Sequence, residues 1–436
     1  MEQQAFLPAM DNMPKGPTKP MASPAQLATW SRYRTLCCGG GGTRGIAFIG
    51  VLETLEYLFG AHAAAPMNWQ KHLSTYAGTS FGAIIALACT LGMWSADMRA
   101  ALETLEKKDF FRPGLKSFTL TLGMDNGRGI RQFLTSLMRE AQLPDVCCAP
   151  QVLGLPVPSA WRQAKDQGTL TFGQLYAWTG KTLCVTVTSV QYASVDHWSH
   201  ATTPDLEVLT GVYASMCLPL LYEAPEVSAL PGQPPSVYFD GGLEMNFPIL
   251  QYPPGTALGV FLESEEADDM PAERTTNSRL HCLARLGFMA GQAFSGNQLL
   301  LLPPAYYPHI LPVTTHGVGS LTMFHKPHLA DLMPGLVEDG VISAMAWYLR
   351  GQRLQLARGL AYMTALWAHY VLGPSPATDD YAVRKTLIPW EYLQDAIRHI
   401  PRDVALIDCE WDGYKETQPS TLAMLKINRS NQLPRM

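Results

Sequence analysis

The sequence predicts an α/β fold organised around a sheet, and three observations lead there. Strand-like and helix-like segments alternate from residue 35 to about residue 253. Two strand-to-helix junctions in that stretch are glycine-rich, at residues 39–45 and 78–82. Hydrophobic residues make up 47% of the 436 and charged residues 16%, enough apolar surface for a large core and a substantial appendage.

Residues 1–34 are expected to form a flexible leader. They hold Met13-Pro14-Lys15-Gly16-Pro17-Thr18-Lys19-Pro20 and lack the apolar centre of a secretory signal. A first β-turn-α unit follows: apolar strand 35–38, a glycine turn, and a helix over 45–59. Ile46, Ile49, Leu52, Leu55 and Leu58 recur there at three-residue steps. The second unit runs from strand 73–77 through Ser80 into helix 81–91, which is apolar on every side and therefore expected at the centre of the fold. Ser95 is placed as the N-cap of an amphipathic helix carrying Met98, Leu102 and Leu105. The proline-rich residues 144–158 read as a surface insertion. Residues 182–189 are β-branched and read as a buried strand, and strand 236–239 delivers Asp240 at its C-terminal end.

After residue 253 the texture changes to long helical segments, 275–293 and 341–372, around a Pro/His-rich stretch at 303–334. A boundary is expected there, which gives a domain at 35–253 and a helical region at 254–436. The uncharged run that follows Arg358 is too short to span a bilayer. Segment 342–372, with Trp347, Tyr348, Tyr362, Trp367 and Tyr370 beside Arg350, Arg353 and Arg358, fits either an interfacial helix or one packed on the core. Net charge is -5 with no long basic run, which argues against a nucleic-acid surface. The nine cysteines lie mostly in apolar runs without paired zinc spacing, so free thiols in a reducing, cytoplasmic setting and no structural metal are expected.

Three motifs carry chemistry. The turn Gly40-Gly41-Gly42-Thr43-Arg44-Gly45 can aim several backbone N–H groups at one point, as an anion or oxyanion cradle requires. It also matches a dinucleotide fingerprint. However, the second strand runs into Gly78-Thr79-Ser80, with no carboxylate placed for a ribose. Arg44 is open to two readings, an anchor for the loop or for a substrate phosphate, and an ordinary surface ion pair. In Gly78-Thr79-Ser80-Phe81-Gly82, glycines two residues either side of Ser80 suit a cramped turn that exposes a nucleophilic hydroxyl at a helix N-terminus. The same residues also suit a plain β-turn-α connection. Asp240-Gly241-Gly242 places a carboxylate before a sharp turn, either as a base for Ser80 or as an Asx-turn.

Histidines separate two hydrolase schemes. A Ser-acid-His order would draw on His281, His309, His316, His325, His328, His369 or His399, none of which has a distinctive neighbourhood. His197 and His200 precede Asp240 and break that order. A Ser80–Asp240 dyad fits the sequence better.

With these residues in view, residues 35–253 resemble the patatin-like phospholipases, a family of Ser–Asp dyad lipid acyl hydrolases. The likeness rests on the glycine opening at 40–45 with its following helix, the elbow from Gly78 to Gly82, and Asp240-Gly241-Gly242. Weaker echoes are Thr171-Phe172-Gly173-Gln174-Leu175, the run from Ala214-Ser215 to Pro219, and Asn246-Phe247-Pro248. The resemblance implies a three-layer α/β/α fold with a mostly parallel sheet, Ser80 as nucleophile and Asp240 as base. It also implies an oxyanion hole from the N–H groups of Gly41, Gly42 and a neighbour, with no catalytic calcium, metal or cofactor. The expected substrate is a phospholipid or another lipid ester met at a membrane surface by a peripherally bound protein. A catalytically silent lipid-binding scaffold and a Ser-His-Asp esterase for soluble esters are the alternatives, and the need for a protein activator stays open.

Overall fold

The computed structural model describes residues 30–59, 69–103, 123–229, 234–263, 302–315, 318 and 331–351. Within them lies a mixed, mostly parallel eight-stranded sheet flanked by helices. The strands are β1 (Thr35–Cys38), β2 (Thr75–Thr79), β3 (Thr182–Ser189), β4 (Ser194–Trp198), β5 (Glu226–Val227), β6 (Ser236–Asp240), β7 (Ala257–Leu262) and β8 (Ile310–Val313). The described helices of eight or more residues are α1 (Ala47–Phe59), α2 (Phe81–Thr90), α3 (Ser95–Glu103), α4 (Arg128–Glu140), α5 (Ser159–Gln167), α6 (Phe172–Thr179), α7 (Val208–Met216) and α8 (Met333–Gly351).

Strands β3, β2, β1, β7 and β8 lie side by side and all run parallel. Near-continuous apolar runs suit this arrangement, because parallel strands are covered on both faces. Every residue of β1 and β7 is buried. Helix α2 is buried along its whole length, as its uninterrupted apolar composition requires. Helix α1 follows a short 3-10 turn at Gly42–Ile46 and buries the expected row from Ile46 to Leu58.

Several boundaries and roles differ from the sequence reading. Strand β2 begins at Thr75, two residues later than expected, because Thr75 is the partner of Thr35 in β1. Ser95 does not cap α3 with its side chain. Its N–H and its hydroxyl both donate to the Glu56 carboxylate, at 2.8 and 2.6 Å, and so tie α3 to α1. Helix α6 starts with a capping box in which Thr171 and Gln174 satisfy each other's backbone N–H groups. Residues 144–158 are turn-rich, with Val146 bridged to Pro156 and Leu153 exposed.

The packed fold begins upstream of Thr35: Trp30 and Tyr33, within the expected leader, are both buried, and Trp30 stacks on Phe59 at 4.4 Å. It also continues past residue 253, since β7 pairs with β1 and β8 pairs with β7. Residues 341–351 of the expected helix 341–372 belong to α8, which packs against α1 and buries Val341, Ala344, Met345 and Tyr348. Expected helix 275–293 and residues 352–372 lie outside the described residues. No described helix is long and apolar enough to cross a membrane. The seven described cysteines are free, and six of them are buried.

Register within the sheet places the ends of two strands together. Residues 185–186 of β3 pair with both β2 and β4, and residues 187–189 pair with both β4 and β6. A strand has two edges, so β2 and β6 must share the edge opposite β4. β2 ends there with Thr79 facing Thr186, and the antiparallel β6 ends with Asp240 facing Val187. The two chains therefore arrive from opposite directions at adjacent positions.

Helices α1 and α8 approach closely because a glycine on each faces the other's backbone. A Cβ on Gly50 would strike the Val337 carbonyl, and one on Gly340 would strike the Ala47 carbonyl. Gly50→Ala is expected to destabilise the fold by roughly 1–3 kcal/mol through overpacking. Chemical denaturation should show this as a lower midpoint; an unchanged midpoint would mean the helices do not meet this closely.

Candidate active site

Ser80 follows β2 directly and precedes α2. Its backbone sits at φ 53°, ψ -127°, a conformation few non-glycine residues adopt. The flanking glycines permit the turn through closeness alone, since neither Gly78 nor Gly82 has a positive φ. A Cβ on Gly78 would collide with the Gly82 carbonyl, and one on Gly82 with the carbonyls of Cys38 and Gly39. The strain falls on the serine, which the turn leaves partly exposed.

Asp240 lies at the end of β6, with 2% of its surface exposed. Its main chain is pinned by its N–H donating to Cys217 O at 2.9 Å and by Thr188 Oγ1 donating to its carbonyl at 3.1 Å. Its carboxylate accepts from the Gly242 N–H at 2.7 Å, and the neighbouring Ser80 side chain also favours its ionised form. Burial pushes the Asp240 carboxyl up to about 7, against the opposing pull of those two groups. Gly241 lies against the Thr186 carbonyl with no room for a side chain.

The glycine loop stands beside Ser80: a Cβ on Gly40 would lie 3.0 Å from the serine Cβ. Asn246 holds Gly40 at both ends, its Nδ2 donating to Gly40 O at 3.1 Å and its carbonyl accepting the Gly40 N–H at 3.0 Å. Thr79 Oγ1 donates to the neighbouring Met245 carbonyl at 3.3 Å, fixing this segment to the end of β2. Gly42 takes φ 54°, the left-handed conformation that glycine adopts without cost. The Gly40 amide is occupied, whereas those of Gly41 and Gly42 donate to no protein acceptor among the described residues. Thr43 and Arg44 are buried, and Arg44 donates from Nη1 to Glu263 O at 2.9 Å. Of its two readings, the geometry favours an anchor that ties the loop to the end of β7. Gly45 packs flush against the Phe81 ring.

Every residue singled out in the three motifs thus falls in one neighbourhood. Two further residues there belong to the weaker motif echoes of the sequence. One is Asn246. The other is Ser215 on α7, whose Oγ accepts the Ser80 N–H at 2.9 Å and donates to Thr186 O at 2.7 Å. Ser215 joins the turn to β3 at the point on its edge where the two converging chains meet. Nothing in its spacing reveals this, because the contact spans 135 residues.

Three of the described histidines are engaged in contacts with residues other than Ser80 and Asp240. His197 Nδ1 bonds Thr186 Oγ1 at 3.3 Å, on the β4 side of β3, and His309 Nδ1 bonds the Tyr33 hydroxyl at 3.0 Å. His200 stacks on Tyr176. His281, His316, His325, His328, His369 and His399 lie outside the described residues.

Known proteins match the same stretch. The sequence model of the family described as patatin-like phospholipase matches residues 36–252. A probable lipid hydrolase, 463L, of Invertebrate iridescent virus 6 is 23% identical over 217 residues, covering 50% of this chain and 62% of that protein. The chain thus spans under two thirds of that relative's length. Among solved structures, VipD from Legionella pneumophila matches with TM-score 0.49 at 16% identity, over 72% of this chain and 66% of that one. The full-length SpcU–ExoU complex from the type III secretion system of Pseudomonas aeruginosa matches with TM-score 0.36 at 16% identity, over 84% of this chain and 67% of that one. By the glycine loop, the serine turn and the buried aspartate that residues 36–252 carry, this chain belongs to the patatin-like phospholipase family.

Proposed function

We propose that the protein is a lipid acyl hydrolase of the phospholipase A type, acting through Ser80 and Asp240. The observation that carries this reading is the convergence of β2 and β6, which brings Ser80 beside the buried Asp240 carboxylate and next to two glycine amides that donate to no acceptor among the described residues. A serine hydroxyl becomes a nucleophile when a base takes its proton as it attacks. A carboxyl raised to about 7 is a far better base than an ordinary aspartate, yet it still ionises near neutral pH.

In the proposed sequence, Ser80 Oγ attacks the ester carbonyl carbon while its proton passes to Asp240. The N–H groups of Gly41 and Gly42 receive the oxyanion of the tetrahedral intermediate. Collapse expels the alcohol, which takes the proton from Asp240 and leaves an acyl-serine. Asp240 then accepts a proton from water as the water attacks the acyl carbonyl. The second collapse releases the fatty acid, and Asp240 returns the proton to Ser80. The positive end of α2 and the fixed loop dipoles favour the anionic intermediates over the neutral ester. The substrate class is a membrane-borne ester, foremost a glycerophospholipid, met by a peripherally bound enzyme.

Ser80→Ala and Asp240→Asn should each lower fatty-acid release from phospholipid vesicles about a thousandfold or more, without unfolding the protein. Retention of activity by either folded variant would sink the dyad. Loss on replacing a histidine in the C-terminal region would instead favour the Ser-His-Asp scheme. In the wild type, kcat/KM should climb as pH rises through about 7, where Asp240 loses its proton, and then level off.

Asp240 should also leave a stability signature. The folded carboxyl keeps its proton up to about pH 7, while an unfolded aspartate releases it near 3.8. The folded state binds more proton across that window, so this group's contribution to stability is complete below it and is lost as pH rises through about 7. Asp240→Asn should therefore be more stable than the wild type at pH 8, by up to on the order of 4 kcal/mol, with the advantage vanishing at pH 4. Equal pH dependence of thermal unfolding in the two proteins would contradict the raised carboxyl.

Ser215→Ala should lower kcat by on the order of ten- to a hundredfold with little change in KM, because the serine turn loses its support and not its substrate contacts. A change in KM alone would count against a positioning role.

A further inference from the structure

Helix α4 has two distinct faces. Ile130, Phe133, Leu134, Leu137 and Met138 are buried against the fold. The other face carries Arg128, Arg131 and Arg139, interleaved with Gln132, Thr135 and Ser136, and lines an open groove of about 590 Å³. Positions 128, 131, 135 and 139 succeed one another by three and four residues, so they form one stripe along the helix. With a rise of 1.5 Å per residue, the stripe from Arg128 to Arg139 is about 16 Å long.

None of these arginines takes part in an ion pair among the described residues. Arg131 lies over the Tyr213 ring, 4.0 Å from its centre, and Arg139 gives one N–H to the Asp166 carbonyl. Asp166, whose carbonyl Arg139 contacts, has its carboxylate 3.5 Å from Lys165, and the exposed Glu140 follows Arg139 at the end of the helix without an ion pair to it among the described residues. Three guanidiniums, Arg128 and Arg139 exposed and Arg131 half-buried, thus stand in one row with no ion pair among the described residues, on a chain of net charge -5.

The chemistry of the row selects phosphate. A guanidinium offers paired N–H groups that match two phosphate oxygens, and the amide and hydroxyls between the arginines add neutral donors. The arginines are spread along the groove and do not converge on one point. They therefore suit a surface of many anions better than one enclosed ion. Their position also suits a surface-acting enzyme: α4 packs on α7, Arg131 stacks on Tyr213, and two residues further along α7 Ser215 holds the Ser80 N–H.

We propose that the arginine stripe of α4 is a docking surface for the phosphate groups of an anionic membrane. It gives a purpose to the lipid hydrolase reading above and rests on that reading for the choice of a membrane as partner. Binding itself needs no turnover.

The test uses the full chain carrying Ser80→Ala, so that the lipid is not consumed, and measures cosedimentation with phosphatidylcholine vesicles with and without phosphatidylserine. Binding should require phosphatidylserine and weaken as salt is raised. Arg128→Gln and Arg139→Gln, both at exposed positions, should each weaken it about fivefold. Both substitutions, placed in the Ser80-containing protein, should leave hydrolysis of a soluble short-chain ester unchanged. Normal binding by the double variant would overturn the proposal. So would competition by inorganic phosphate beyond that of sodium chloride at equal ionic strength, since that would mark a site for a free anion. A wild type that hydrolyses no ester yet binds through these arginines would overturn the enzymatic reading and leave the docking surface standing.

Discussion

Strand β3 lends one edge to two partners that arrive from opposite directions, β2 as far as Thr186 and β6 as far as Val187. The edge can hold both only because each stops where the other begins. β2 stops by turning sharply at Ser80 into α2, and β6 stops at Asp240 by turning through Gly241 and Gly242. The glycines around Ser80 and Asp240 are thus requirements of crowding before they are requirements of chemistry. The Thr186 carbonyl sits at the junction, where it accepts from Ser215 and leaves no space for a side chain on Gly241. A serine and a carboxylate brought together this way lie on strand ends, and strand ends hold position better than a free loop.

Much of this site was legible because its parts are local. A glycine turn between an apolar strand and an apolar helix announces itself within a dozen residues. So do the elbow around Ser80 and the Asp240-Gly241-Gly242 corner. Strands 35–38 and 182–189 were readable to the residue from their β-branched or apolar composition. Ser215 and Asn246 were not, because their roles are long-range hydrogen bonds to the backbone, at separations of 135 and 206 residues. Any small hydroxyl or amide residue in those stretches would have looked the same. The continuation of the sheet was hidden for a related reason. Ala257–Leu262 is short and apolar, and only its pairing with β1 distinguishes it from the start of a helical region. At Trp30 and Tyr33, proline-rich composition upstream masked two aromatic side chains that belong to the core.

The site carries two costs that the rest of the fold must offset. Ser80 holds a backbone conformation worth on the order of 1–3 kcal/mol of strain. Asp240 is a carboxyl withdrawn from water, with the Gly242 N–H and the neighbouring Ser80 side chain as its compensation. Helix α2, buried throughout, and the fully buried β1 provide the apolar contact that makes such an arrangement tolerable. Strain and burial sit together at functional sites because each would be lost to relaxation in a softer scaffold.

The reciprocal glycines of α1 and α8 bear on how this family domain can be cut out of the chain. Similarity to the family ends at residue 252, yet the partner of β1 on one side is β7 and the cover of α1 is α8, both further along. A recombinant fragment terminated at the end of the family match would leave β1 as an open edge and strip the apolar flank from α1. Open edges and bare apolar faces pair with copies of themselves. The smallest unit able to fold independently therefore reaches at least to residue 351, and the end of the family match is not the end of the folding unit.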